Sequence, residues 1–334
     1  MNSFDLLAQF GAESVQFVSD EARGLHAIIA VHSTRRGPAF GGIRTLSYSG
    51  VNAALTDALR LAQHMSYKAA LADLKAGGGK IVVMKTDRLD RNLAFVALGR
   101  AIDRLGGSFF TGLDVGTTYE DLENVAKGTA QVASHLDFGR ATARGCMAAL
   151  KAAFEHLGQP GLRGKTVAVQ GLGSVGRELA RMLAQAQARV LVADIQEEAA
   201  QSAAREIGAE VVKPGGILSV SCDALAPCAL GGILTPSAVK SLRCQVVAGS
   251  ANNQLASPAA GKALQARGIV YVPDFVANAG ALIKGVLEHQ AGKELGFDVV
   301  DRVGESTQAV LDRAKAEGRP PAEVAERIAL ERLA

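Results

Sequence analysis

The chain has 334 residues, 48% hydrophobic and 21% charged, with a net charge of +3. That length accommodates two cores and the composition is that of an ordinary globular protein. A charge this small, with no long run of Lys or Arg, argues against nucleic acid or an anionic membrane as partner, and no apolar stretch approaches the ~20 residues of a membrane span.

Met1–Phe10 lacks the basic start and long apolar core of a secretion signal, so a cytoplasmic location is expected. The four cysteines, Cys146, Cys222, Cys228 and Cys244, form no CxxC pair and lie near no histidine cluster with zinc-site spacing. No metal site is expected, and the thiols read as buried and reduced.

In chain order, Leu25–His32 reads as a buried strand. Val51–Lys68 has a helical period, with Ala54, Leu55, Ala58, Leu59, Leu61 and Ala62 on one broad face. Gly77–Gly79 is expected to break the chain before Lys80, and Ile81–Met84 to follow as a short strand. Asn92–Leu105 reads as a helix and Ser108–Thr111 as a strand leading to Asp114.

From Lys165 the pattern becomes strand, glycine loop, helix. Val167–Gln170 and Arg189–Ala193 read as strands around a helix at Val175–Ala186; Gln245–Ala248 and Ile269–Val272 are later strands. Such alternation predicts a parallel doubly wound sheet. Val300, Val303, Val310, Leu311 and Ala314 recur with a helical period. The expected class is α/β with two domains: an N-terminal α/β domain over 1–137, and a Rossmann-type doubly wound domain over 138–295. Helices over 296–334 are expected to pack back on the first domain.

Gly171, Gly173 and Gly176 form G-x-G-x-x-G between an apolar strand and an amphipathic helix, and Asp194 ends the next strand. In that context the motif is a dinucleotide fingerprint. Gly171 permits the tight turn, Gly173 lets backbone approach the pyrophosphate, and Gly176 allows close packing. Ser174 and Val175 open the helix whose N-terminus favours the phosphate charge. The Asp194 carboxylate accepts from ribose hydroxyls and repels a 2′-phosphate, so NAD is expected over NADP. Arg189 reads as a strand-start surface residue.

Lys68 and Lys80 border the glycine run. Partial burial and mutual repulsion would favour the neutral form of one amine, making it a general base, while the other binds a carboxylate. On residue type alone both read as solvated surface lysines. GGGK is not a phosphate loop, because Leu74 and Ile81 stand where that motif needs Gly and Ser or Thr.

At this point the chain resembles the Leu/Phe/Val branch of the amino-acid dehydrogenase superfamily over nearly its whole length. The resemblance rests on GPAFGGIRTL from Gly37, DALRLAQHMSYKAALADLKAGGGKIVV from Asp57 and TGLDVGTT from Thr111. It continues through VAVQGLGSVG from Val167, APCALGGILT from Ala226, VVAGSANNQLA from Val246 and PDFVANAG from Pro273. It implies that Lys68, with backbone around Gly41, binds the substrate carboxylate. It implies that Lys80 activates water for attack on an iminium and that Asp114 assists proton transfer. Asn253 is implied to hold both carboxylate and nicotinamide, Asn278 to lie beside the nicotinamide, and Thr142 and Pro227 to face the cofactor. Without the resemblance, Asp114 reads as a turn cap and Asn252–Asn253 as a loop pair. HLDFGRATARG matches only at Thr142 and Ala143, and Ala281 replaces the usual second glycine.

The resemblance places Phe40, Gly112, Leu282 and Gly285 around the substrate side chain. None can pair a second carboxylate, which disfavours glutamate. Gly112 and Gly285 leave volume, and Phe40 can stack on a ring. The expectation is reversible oxidative deamination of a hydrophobic L-amino acid, phenylalanine-like or leucine-like, to a 2-oxo acid, ammonia and NADH, by a homo-oligomer. The competing readings are a catalytically decayed dinucleotide-binding regulator or scaffold, and a 2-hydroxy acid enzyme. For the last, His64 and His135 sit in no acid/base motif.

Overall fold

The computed structural model describes residues 3–334, which form two units. One runs up to Leu136 and includes Ala329–Ala334; the other is Asp137–Ile328.

The first unit holds a five-stranded sheet made of β1 (Ser14–Asp20), β2 (Leu25–Ser33), β3 (Ala39–Leu46), β4 (Gly77–Met84) and β5 (Phe109–Leu113), in the order β1-β2-β4-β3-β5. β1 and β4 flank β2 antiparallel, while β4, β3 and β5 run parallel. The helix Val51–Leu71 buries Ala54, Leu55, Ala58 and Leu59 against β2 and β4, as its period predicts.

Gly77–Gly79 do not break the chain; they lie inside β4. A Cβ on Gly78 would sit 2.0 Å from the backbone nitrogen of Ser66, and one on Gly79 2.3 Å from the Phe109 ring. The glycines therefore let helix and strands meet backbone to backbone. Alternate strand residues share a face, so Lys80 projects on the same side as Gly78, toward the helix.

The second unit is built on six parallel strands: β6 (Thr166–Gln170), β7 (Arg189–Ala193), β8 (Glu210–Val211), β9 (Ala224–Pro227), β10 (Val246–Val247) and β11 (Val270–Tyr271). Their order is β11-β10-β9-β6-β7-β8, the doubly wound Rossmann arrangement. The strand order reverses between β6 and β9, and ligands of such sheets bind beyond the strand ends at that point.

The C-terminal stretch departs from expectation. The helix Arg302–Glu317 buries Val303, Val310, Leu311 and Ala314, and it packs on the helix Phe138–His156 of the second unit. Only the end of the chain joins the first unit, where Arg332 donates to the carbonyls of Ala70 and Leu71 at 2.9 and 3.0 Å. A cation on the last carbonyls of a helix is electrostatically favoured there, and a helical period alone does not say which core will receive it.

Replacing Gly78 by Ala should force the helix off β4, at about 1–3 kcal/mol of overpacking. Thermal unfolding should show Tm lowered by several degrees. Gly50→Ala, whose added Cβ would meet nothing within 4 Å, should leave Tm nearly unchanged.

Candidate active site

Three parallel neighbours supply one charged cluster: Lys80 from β4, Arg44 from β3 and Asp114 just past β5. The side chain of Lys80 is 6% exposed and its Nζ lies 2.6 Å from Asp114 Oδ2. The same oxygen accepts from Arg44 Nε at 2.9 Å. Arg44 reaches on to Asp57 Oδ2 at 3.2 Å, which also accepts from the Tyr48 hydroxyl at 2.9 Å, while Arg60 holds Asp57 Oδ1 at 2.7 Å.

Burial pushes the Lys80 amine below its ordinary value of 10.5; Asp114 opposes that shift and Arg44 reinforces it. Burial would raise the Asp114 carboxyl, but Lys80 and Arg44 hold it down to about 2. An amine that gives up its proton more readily than a free lysine thus sits against a carboxylate that keeps its charge, a pairing suited to general-base work. The sequence reading looked to the other lysine for a neighbouring charge; the structure sets Arg44 there.

Asp114 does more than cap its turn, since its carboxylate also pairs Lys80 and Arg44. Thr118 caps the helix Tyr119–Ala126, accepting from Asp121 N at 3.2 Å, while Asp121 accepts from Thr118 N at 2.7 Å. Thr117 ties the turn to the carbonyl of Ile43 at 2.7 Å, which leaves the Asp114 carboxylate for the two cations. Lys80 is likewise no surface lysine.

Lys68 lies half-buried near the end of the helix Val51–Leu71. One turn earlier, burial together with Arg60 and Lys68 lowers the His64 imidazole to about 4, so that ring is neutral near pH 7. The Gly41 carbonyl accepts from the Thr111 hydroxyl at 2.9 Å, and a Cβ there would lie 1.8 Å from the Gly79 oxygen. Phe40 is buried against Phe110, with ring centroids 5.1 Å apart. Gly112 is buried and pairs with Gly42 across β3 and β5.

The dinucleotide side forms at the strand-order reversal. Gly171 follows β6 with φ +91°, and a Cβ on Gly176 would lie 1.9 Å from the Gly171 oxygen. Gly173 opens the helix Ser174–Gln185 and has nothing within 4 Å of where its Cβ would be, room for a pyrophosphate at the N-terminus. Asp194 Oδ2 accepts from Leu172 N at 2.7 Å and Oδ1 from Gln196 N at 2.8 Å. The carboxylate therefore ties the fingerprint loop to the end of β7, and each oxygen retains a lone pair for ribose.

Pro227 ends β9, and Thr142 is half-buried on the helix Phe138–His156. Asn278 donates to Ser250 O at 3.1 Å and Asn252 Oδ1 at 2.8 Å, but its own Oδ1 is buried without a partner. A carboxamide donor is what that oxygen lacks, so the residues fit a nicotinamide. Asn253 takes φ +53°, and its N–H donates to Asp274 Oδ2 at 2.8 Å. Leu282 and Gly285 lie buried three residues apart on the helix Gly280–Ala291. A Cβ on Gly280 would meet the Ala141 oxygen at 2.1 Å, whereas the next residue, Ala281, is half-exposed and tolerates its methyl.

The family model for the Glu/Leu/Phe/Val dehydrogenase dimerisation domain matches residues 12–157, and that for Glutamate/Leucine/Phenylalanine/Valine dehydrogenase matches 134–197 and 191–334. The chain belongs to this family. It is 41% identical to leucine dehydrogenase of Geobacillus stearothermophilus over 100% of this chain and 94% of that one. It is 39% identical to phenylalanine dehydrogenase of Lysinibacillus sphaericus over 81% of this chain and 75% of that one. The crystal structure of L-tryptophan dehydrogenase from Nostoc punctiforme superposes with a TM-score of 0.85 at 38% identity, covering 99% of this chain and 98% of that one.

The sequence reading missed Arg44, Tyr48 and Asp57, whose contacts cross elements and leave no periodic trace. It also missed the buried Lys284–Glu288 pair, though two opposite charges four apart in an apolar helix were a visible signal. Among the described residues, no three His, Cys, Asp or Glu side chains gather to hold a metal, and no helix is long and apolar enough to cross a membrane.

The two neighbours of Lys80 have opposite effects on its proton. Asp114→Asn removes the anion that raises the amine, so its titration should move to lower pH; Arg44→Gln removes the cation that lowers it, so titration should move up. The limb of a pH–rate profile on which activity rises with pH reads both, and shifts of the same sign would contradict this electrostatic assignment.

Proposed function

We propose that this chain catalyses the reversible, NAD-dependent oxidative deamination of a hydrophobic L-amino acid to its 2-oxo acid and ammonia. The observation that carries the reading is the buried Lys80 amine, held 2.6 Å from Asp114 with its pKa below the ordinary value. Bound NAD would accept the hydride from the substrate Cα.

Lys68 holds the substrate carboxylate as a fixed cation, with backbone at Gly41 beside it. Neutral Lys80 takes a proton from the water that adds to the substrate iminium carbon. Asp114 keeps the amine oriented and stabilises the ammonium that results. Lys80 then returns that proton to the amino nitrogen, the carbon–nitrogen bond breaks as the new hydroxyl gives its proton back to Lys80 and becomes the carbonyl, and ammonia and the 2-oxo acid leave. The neutral amine is the working form, so oxidative turnover should rise with pH with its midpoint below the ordinary lysine value of 10.5.

Asn253 holds carboxylate and nicotinamide, and Asn278 offers its unpaired Oδ1 to the carboxamide. Thr142, Ser174, Val175 and Pro227 border the cofactor. Asp194, with no cation bonded to its carboxylate, supports NAD over NADP. The matching dimerisation-domain model supports a homo-oligomer.

For the substrate, relatives named for leucine, phenylalanine and tryptophan support an apolar side chain. Phe40, Gly112, Leu282 and Gly285 carry no charge to meet a second carboxylate. Gly112, two residues beyond Phe110 on β5 and its pair with Phe40, and Gly285 in the second unit each lack a side chain, which favours an aromatic ring over a branched aliphatic chain.

A panel of amino acids and 2-oxo acids, each with NAD and NADP, tests substrate and cofactor together. Phenylalanine with NAD should be turned over well; strong turnover of valine without phenylalanine would reject the aromatic preference. Lys80→Ala should lower turnover by about 10²–10⁴-fold. NADH binding, followed by fluorescence, should be unchanged, and retained activity would remove Lys80 from its role.

A further inference from the structure

Two of the cysteines meet across the dinucleotide sheet. β9 and β10 pair with Ala224 opposite Val246 and Leu225 opposite Val247. The same register continues before the strands, where Ser221 bridges Arg243 and Cys222 N donates to Arg243 O at 3.2 Å. Cys222 therefore lies directly opposite Cys244. Side chains at matched positions of neighbouring parallel strands leave the sheet on the same face. Neighbouring strands are about 4.8 Å apart, within the Cα separation of roughly 4.4–6.8 Å that a disulfide spans. Both cysteines are only half-buried at the border of the core cluster formed by Leu225, Leu242, Val247 and Ile269.

We propose that Cys222 and Cys244 are a redox site that closes to a reversible disulfide in the presence of a hydroperoxide. The pair is asymmetric. The neighbouring Cys222 thiol, the backbone at Leu225 and the charge of Arg267 outweigh burial and lower the pKa of Cys244. The Arg267 guanidinium is fixed there by the carbonyls of Val239 and Leu242. The adjacent Cys244 sulfur, burial and the charge of Asp223 push the Cys222 thiol up.

Cys244 is thus the attacking sulfur and Cys222 the resolving one. The Cys244 thiolate attacks one peroxide oxygen, the O–O bond breaks, and hydroxide leaves to become water, giving a sulfenic acid. The Cys222 sulfur then attacks the Cys244 sulfur, the S–O bond breaks, and a second water leaves. Two thiols are oxidised and one peroxide is reduced to two waters. Half-exposure leaves the bond open to thiol reductants, so the change is reversible.

The bond forms where β9 and β10 begin. Gly171, Asp194 and Pro227 stand at the other ends of the strands. Oxidation should therefore stabilise the unit without obstructing the dinucleotide, by closing the loop between the two cysteines in the unfolded chain.

The full-length protein, reduced and then treated with hydrogen peroxide, tests this. After denaturation, the four alkylatable thiols should fall to two, the intact mass should drop by two hydrogens, and a peptide map should link Cys222 to Cys244. Dithiothreitol should restore all four. Tm should rise by about 5 °C on oxidation, with NADH affinity unchanged. Cys222→Ser should stop at a Cys244 sulfenic acid that dimedone traps. A bond to Cys146 or Cys228, sulfinic acid without any linked peptide, or first reaction at Cys228 would overturn the proposal. The peptide map of the unsubstituted protein decides even where a serine variant folds poorly.

Discussion

The burial of the Lys80 ammonium against Asp114 is what the first unit is arranged to bear. Taking an ion out of water costs several kcal/mol even after relaxation, and one partner at 2.6 Å repays that only with further bonds around it. The structure supplies them as an alternating series, Lys80, Asp114, Arg44 and Asp57, two cations and two carboxylates, with Tyr48 and Arg60 on the far carboxylate. Similar burial then has opposite outcomes. Asp114 faces two cations, so attraction prevails and its carboxyl is held down to about 2. Lys80 faces one carboxylate with Arg44 behind it, so desolvation prevails and its amine becomes easier to deprotonate.

That cluster depends on backbones coming closer than side chains would permit. Gly78 admits the helix at Ser66, and Gly41 admits β4 at the Gly79 oxygen. The second unit uses the same device at Gly171 and Gly176, where the turn closes on itself. In both units glycine is there for proximity: in the first it sets a charged cluster, in the second it frees the helix N-terminus and leaves Asp194 to bind its own loop.

Asn278 shows a complementary economy. Its two N–H bonds are used to fix the Asn252 loop, and its oxygen is left buried and unmet. An unsatisfied buried acceptor costs about 1–3 kcal/mol, a cost that a carboxamide donor would relieve. The thiols of Cys222 and Cys244 are another case of groups placed side by side by strand register, although they lie 22 residues apart in the chain.

Much of this was legible in the sequence where the signal is local. The apolar face of the helix Val51–Leu71, the strand Arg189–Ala193 and the glycine fingerprint with Asp194 each carry their pattern within a few residues, because helix and strand periods are set by neighbouring backbone. What only the tertiary structure decided are contacts between distant segments. Gly77–Gly79 read as a break and proved to be a strand, since the reason for those glycines lies at Ser33, Ser66 and Phe109. Arg44 and Asp57 joined the site, the helix Arg302–Glu317 chose the second unit, and of the free thiols that read as buried, Cys146 is buried while Cys222 and Cys244 lie half-exposed on neighbouring strands. A sequence states which side chains are available and how they repeat; burial, register and charge between distant elements arise only when the chain closes on itself.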